Sequence, residues 1–146
     1  MSHRTLIVVV CFVLIVFCFL PMPYLVCPSW EVWVVDQSGT PQRGMTVRRS
    51  YQDYSLEREG HEEDAVTDAT GYAHFAKRES RASLASRFFG TLYSAVTGGV
   101  HASFGRHAFV FAFGNGKEGH AVSGKYVTNW TGSPEHMQSR IVVGGM

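Results

Sequence analysis

Leu6 to Leu20 is an unbroken apolar run, and its character continues through Tyr24, Leu25, Val26 and Cys27. His3 and Arg4 precede it, and no acidic residue occurs before Glu31. A hydrocarbon layer takes roughly 20 residues of helix, so this stretch predicts a membrane anchor at residues 1–27, its helix running from Leu6 to Leu20 and no more than a few residues past Pro21. Residues 21–26 lack the small side chains that a signal-peptide cleavage site uses, which favours an uncleaved anchor. The alternative is a buried core helix, but a helix apolar on every side needs protein all around it, more than a small domain supplies. Arg4 lies before the run and Glu31 and Asp36 after it, so the positive-inside tendency puts the remainder of the chain outside the cytoplasm, as a single-pass membrane protein.

Beyond the run the pattern changes to short alternating segments. Trp30 to Val35 is rich in β-branched and aromatic residues and ends in the turn residues Asp36 to Pro41. Met45 to Tyr51, Tyr72 to Phe75, His107 to Phe113, His120 to Thr128 and Ile141 to Val143 read as further strands. Alternation directs Val32, Val34, Val47 and Phe75 to the core and Glu31, Trp33 and Val35 to the opposite face. Gln52 to Asp64 carries five acidic residues after position 56 and reads as an exposed loop. From Ser80 to Val100, Leu84, Phe88, Leu92 and Val96 recur every four residues, which predicts a helix ended by Gly98 and Gly99. Its stripe is expected to cover Trp33 and Val35; left free, it would face lipid with Arg81 and Arg87 beside it.

With 146 residues, 45% of them hydrophobic, the chain holds one core, giving an anchor at 1–27 and a domain at 28–146. Thirteen Lys and Arg against 12 acidic residues give a net charge of +1, too little basic field for a nucleic-acid partner. Cys11 and Cys18 lie inside the apolar run and Cys27 at its edge, so residues 28–146 hold no disulfide. Lipidation of Cys27 is disfavoured because Tyr24, Leu25 and Val26 supply no small residue before it.

Two turn motifs then occur in order. Val32-Trp33-Val34-Val35-Asp36-Gln37-Ser38-Gly39-Thr40-Pro41-Gln42-Arg43-Gly44 is followed by Thr67-Asp68-Ala69-Thr70-Gly71-Tyr72-Ala73-His74-Phe75. Together they resemble the carboxypeptidase regulatory-like domain, over about a third of the chain. The resemblance implies a mainly β fold, an Ig-like or transthyretin-like β-sandwich, here with the N-terminal transmembrane helix and one short helical insertion. It also implies a bacterial, non-catalytic module used for spacing, adhesion or docking. The motif residues themselves read as turn chemistry: Asp36 hydrogen-bonds the turn backbone, Gly39 and Gly44 relieve steric limits and Pro41 fixes φ.

No enzymatic site is expected. The hydrolase branch of the transthyretin-like fold, the 5-hydroxyisourate hydrolases, ends in Tyr-Arg-Gly-Ser, whereas this chain ends Val143-Gly144-Gly145-Met146. Adhesins of related fold crosslink an early-strand lysine to a late asparagine, but the lysines here are Lys77, Lys117 and Lys125. His61, Glu62, Glu63 and Asp64, with Asp68 nearby, offer metal-ligating atoms without a ligand spacing, so a solvated acidic loop is the expectation. His101, His107, His120 and His136 are scattered. Asn129-Trp130-Thr131 fits a glycosylation acceptor, which the bacterial character of the resemblance argues against. The sequence thus predicts no catalytic residue, no cofactor and no metal. Its expected partners are the membrane, through the N-terminal helix, and an envelope protein or glycan. The rival reading is a hydrolase or metal-dependent enzyme built on the His61 to Asp68 segment and distant histidines.

Overall fold

A computed structural model describes residues 2–98, 103–120 and 129–145. Helix α1 runs His3–Phe19, and the Ser2 Oγ caps it by accepting the Thr5 N–H at 3.3 Å. Leu20 then turns extended, the conformation favoured before a proline, and Pro21 cannot continue the helix. Seventeen residues span only about 25 Å, short of the roughly 30 Å hydrocarbon layer. Among the described residues no helix is long and apolar enough to cross a membrane. The expected transmembrane anchor, and the single-pass location built on it, are therefore corrected. The apolar residues counted toward the end of that span do something else: Met22–Cys27 forms strand β1, paired antiparallel with β6, Arg78–Ala82.

The remaining strands are β2 Ser29–Asp36, β3 Thr46–Asp53, β4 His61–Val66, β5 Tyr72–Phe75, β7 Arg106–Gly114, β8 Lys117–His120, β9 Asn129–Trp130 and β10 His136–Gly145. They make one sheet in the order β4-β3-β7-β8-β10-β2-β5, with β9 added beside β7. The fold is mainly β, as expected, but its sheet curls until it is nearly closed into a barrel. The strand expected from His120 to Thr128 lies largely outside the described residues. The segment expected as an acidic loop is a loop only in part, because His61–Val66 pairs with β3 along its length.

Arg49 of β3 explains how the two sheet margins are drawn together. Fully buried, it donates through Nη1 to the carbonyls of Pro28 and Ala76, each at 2.9 Å, and through Nη2 to Glu63 of β4. Its guanidinium also lies over the rings of Phe75 and Tyr51, at 4.9 and 5.4 Å. One side chain thus ties β3 and β4 to the ends of β2 and β5. Burial raises the Glu63 carboxyl pKa, but hydrogen bonds and charge from Arg49 and Arg78 outweigh it and hold the group below the ordinary range.

The core follows the alternation. Val32, Val34, Val47 and Phe75 are buried as predicted, and Trp30, Trp130, Met45 and Ile141 join them. On β2, Glu31 and Trp33 face outward and half-exposed, whereas Val35 is covered where the returning Pro41 bridges to it. Both motif aspartates act as turn anchors. Asp36 Oδ1 accepts the Ser38 and Thr40 N–H groups, each at 2.9 Å, and Asp68 Oδ1 accepts those of Thr70 and Tyr72, at 2.7 and 3.1 Å. Gly71 follows at φ 72°, where a Cβ would sit 2.4 Å from the Val34 carbonyl, so only glycine closes this turn against β2.

Helix α2, Leu84–Gly98, begins where the Ser83 Oγ accepts the Ser86 N–H. The expected cover of Trp33 and Val35 by its stripe is not what forms. The small-residue side of α2 faces the body instead: Gly90 stands so close to Ser55 that a Cβ would meet its carbonyl at 1.8 Å. Thr91 and Ser94 hydrogen-bond Ser55 and the Tyr54 carbonyl. Leu84, Phe88, Leu92 and Val96 consequently point to solvent.

Candidate ligand-binding face

Strands β5, β2 and β10 are consecutive in the sheet, and their outward side chains fall into rows. The antiparallel register sets Trp33 against Tyr72 and Glu31 against His74, while the parallel register sets Trp33 against Arg140, Glu31 against Gln138 and Ser29 against His136. The inward neighbours Trp30, Val32, Ala73, Met137, Ser139 and Ile141 are all buried, which fixes the direction of the outward ones. Ser139 is polar yet buried, and it is satisfied by the Trp30 Nε1–H at 2.8 Å.

The upper row is an aromatic pair, Trp33 and Tyr72, with Arg140 beside it. The Trp33 and Tyr72 rings lie 5.4 Å apart and tilted by 53°, so Trp33 finds its cover in Tyr72. The middle row is polar and centred on Glu31, which accepts the Gln138 Nε2–H at 2.9 Å and the Tyr72 phenol. Burial, with Glu31 as a second cause, pushes the Tyr72 phenol above its ordinary pKa. In the lower row Ser29 Oγ and His136 Nδ1 are 2.5 Å apart. Ser29, Glu31, His74, His136 and Gln138 line a hollow of about 740 Å³, closed at one side by Lys77, whose ammonium is paired with Glu79 at 2.6 Å. A second hollow of about 770 Å³ lies between α2 and residues 52–58, lined by Gln52, Tyr54, Glu57, Arg58 and Tyr93.

The candidate metal ligands do not converge. Glu62 and Asp64 both pair with Arg48, at 2.9 and 2.7 Å, while Glu63, on the opposite side of β4, goes to Arg49 and Arg78. Asp68 is committed to its turn. No group of three or more His, Cys, Asp or Glu suited to a metal ion occurs among the described residues. Of the histidines expected to be scattered, His101 lies outside the described residues and His107 packs edge-on against Tyr54 while its Nε2 meets the Phe104 carbonyl at 3.1 Å. His136 is different, since it shares a hollow with His74 and Glu31.

The sequence reading held Glu31 and Trp33 as outward residues but missed the face they belong to. Its one available signal was the alternation Ser29, Glu31, Trp33 within β2, three outward residues able to bind a ligand. No protein family, curated protein or solved structure matches this chain.

Proposed function

We propose that this chain is a non-catalytic binding module and that the outer face of β5, β2 and β10 takes a glycan of the cell envelope. The observation that carries this reading is the juxtaposition of an aromatic pair, Trp33 and Tyr72, with a row of planar hydrogen-bonding groups, His74, Glu31 and Gln138. A pyranose ring has an apolar face suited to an indole and hydroxyls suited to a carboxylate, an amide and an imidazole. The hollow below is within the roughly 300 to 1,000 Å³ of small-ligand sites.

The test is sedimentation of the protein with purified peptidoglycan sacculi and with chitin. Binding should be lost about tenfold or more in Trp33→Ala, as expected of an aromatic anchor, and weakened in Glu31→Gln. Equal binding by the wild type and Trp33→Ala, or no binding to either polymer, contradicts the reading.

One contact favours the hydrolase alternative. In that reading His136 Nδ1 takes the Ser29 Oγ proton as the oxygen adds to an ester's acyl carbon, and returns it to the alkoxide leaving group as the acyl C–O bond breaks. A fluorophosphonate probe separates the two: labelling of Ser29 that disappears in His136→Gln supports the hydrolase, and an unlabelled Ser29 supports the binding module.

A further inference from the structure

We infer that two copies of this chain associate through α1 and the exposed side of α2, independently of the glycan face. A compact monomer of 16.2 kDa exposes about 7,400 Å² by the usual scaling, whereas this chain exposes 9458 Å². The surplus, about 2,000 Å², is of the size that stable homodimers bury. Apolar residues left uncovered contribute to it: Leu6 to Phe19 on α1 with Leu20 at its end, and Leu84, Phe88, Phe89, Leu92, Tyr93 and Val96 on α2. Water-exposed apolar patches of this extent mark an interface.

The chemistry of the patch selects the partner. Between Arg4, in the first turn of α1, and Glu31 there is no charged side chain, so the length of α1 beyond Arg4 offers no charge complementarity to a foreign surface. A second copy presents the same apolar surface, and a two-fold axis makes that surface complementary to itself. Every position of α1 from Leu6 on is apolar, and Ile7, Cys11, Leu14 and Cys18, at spacings of four, three and four, share one face that a helix pair can use as its seam. Cysteine is small and apolar enough for close helix approach. A parallel pair sets both barrels at the same end, where the two α2 faces meet in the same contact. An antiparallel pair would hold the barrels at opposite ends of a helix about 25 Å long and leave both α2 faces wet.

The seam carries its own reporters. Cys11 and Cys18 are exposed, while Cys27 is buried in the barrel with its thiol pushed up to about 11, chiefly by burial. A parallel seam sets Cys11 against Cys11 of the second copy, within reach of a disulfide when an added copper-phenanthroline oxidant removes the two thiol protons and electrons. The experiment is sedimentation equilibrium of the full chain, followed by oxidation and non-reducing electrophoresis of the Cys18→Ser variant. The expected result is a mass twice that of the chain, a crosslinked dimer in Cys18→Ser that vanishes in the Cys11→Ser, Cys18→Ser double variant, and association weakened by Leu14→Glu until the chain sediments as a monomer. Because α1 lies off the barrel, circular dichroism of Leu14→Glu should keep the wild-type β signal, which separates lost association from lost folding. A monomer at tens of micromolar, a dimer that neither crosslinks at Cys11 nor responds to Leu14→Glu, or a monomer that floats with neutral phosphatidylcholine vesicles overturns the proposal.

Discussion

Asp36 and Asp68 do the same work at two turns, each carboxylate accepting two backbone N–H groups and a neighbouring hydroxyl. For Asp36 the Ser38 hydroxyl leads and the Thr40 N–H follows; for Asp68 the Thr70 hydroxyl leads and the Tyr72 N–H follows. Both carboxyls are thereby held below their ordinary pKa. A carboxyl with a depressed folded-state pKa stabilises the fold above its unfolded value, about 3.9, and that contribution is lost as pH falls through the folded value. The melting temperature should therefore be flat between pH 7 and 5 and fall below about pH 4. A double variant Asp36→Asn, Asp68→Asn should show a shallower acid limb, leaving the part due to Glu63 and Asp64, whose carboxyls are also held low. Melts across that pH range check this, and an acid limb as steep as the wild type's would contradict it. These turns were legible in the sequence because their chemistry is local. Glu31 and Trp33 were legible only as outward residues, since what makes them a site is Gln138 and His136, more than a hundred residues away.

Among the elements, β2, β3, β5 and β7 are marked by alternation and lie close to the expected bounds, whereas β10, expected only over Ile141 to Val143, runs His136–Gly145. Strand β4 is not so marked, because His61-Glu62-Glu63-Asp64 has no apolar member; its pairing is supported by Arg48 and Arg49 on the neighbouring strand. Strand β1 is hidden inside an apolar run whose division is marked only by Pro21, which ends the helix, and pairing with β6 then makes the apolar residues that follow a strand. For α2 the period was right and the orientation inverted. Its apolar side gives way to the small-residue side because the body offers hydrogen-bond acceptors in the Tyr54 carbonyl and the Ser55 hydroxyl. Two substitutions separate these sides. Phe88→Ser should change the melting temperature little, as surface substitutions generally alter stability by about 0.5 kcal/mol or less. Gly90→Leu should lower it by an amount corresponding to roughly 1 to 3 kcal/mol, since the added side chain collides with the Ser55 backbone. Thermal melts at a dilution that keeps the chain monomeric test the pair, and the reverse ranking would show that the helix packs by its apolar stripe.

At the scale of the molecule, the barrel holds two surfaces apart. One is helical and apolar, made by α1 and α2; the other is the aromatic and polar outer face of β5, β2 and β10. Three tryptophans report on this arrangement: Trp30 and Trp130 are buried at 0% and 1% exposure, and Trp33 stands on the outer face. Collisional quenching of tryptophan fluorescence by iodide therefore reads Trp33 almost alone, and Trp33→Phe supplies the blank. The account predicts that adding lysozyme-solubilised peptidoglycan fragments lowers the quenching slope of the wild type toward that of Trp33→Phe, as the sugar covers the indole. A quenching slope unchanged at saturating fragment, with Trp33 still accessible, would contradict the assignment of this face as the binding site.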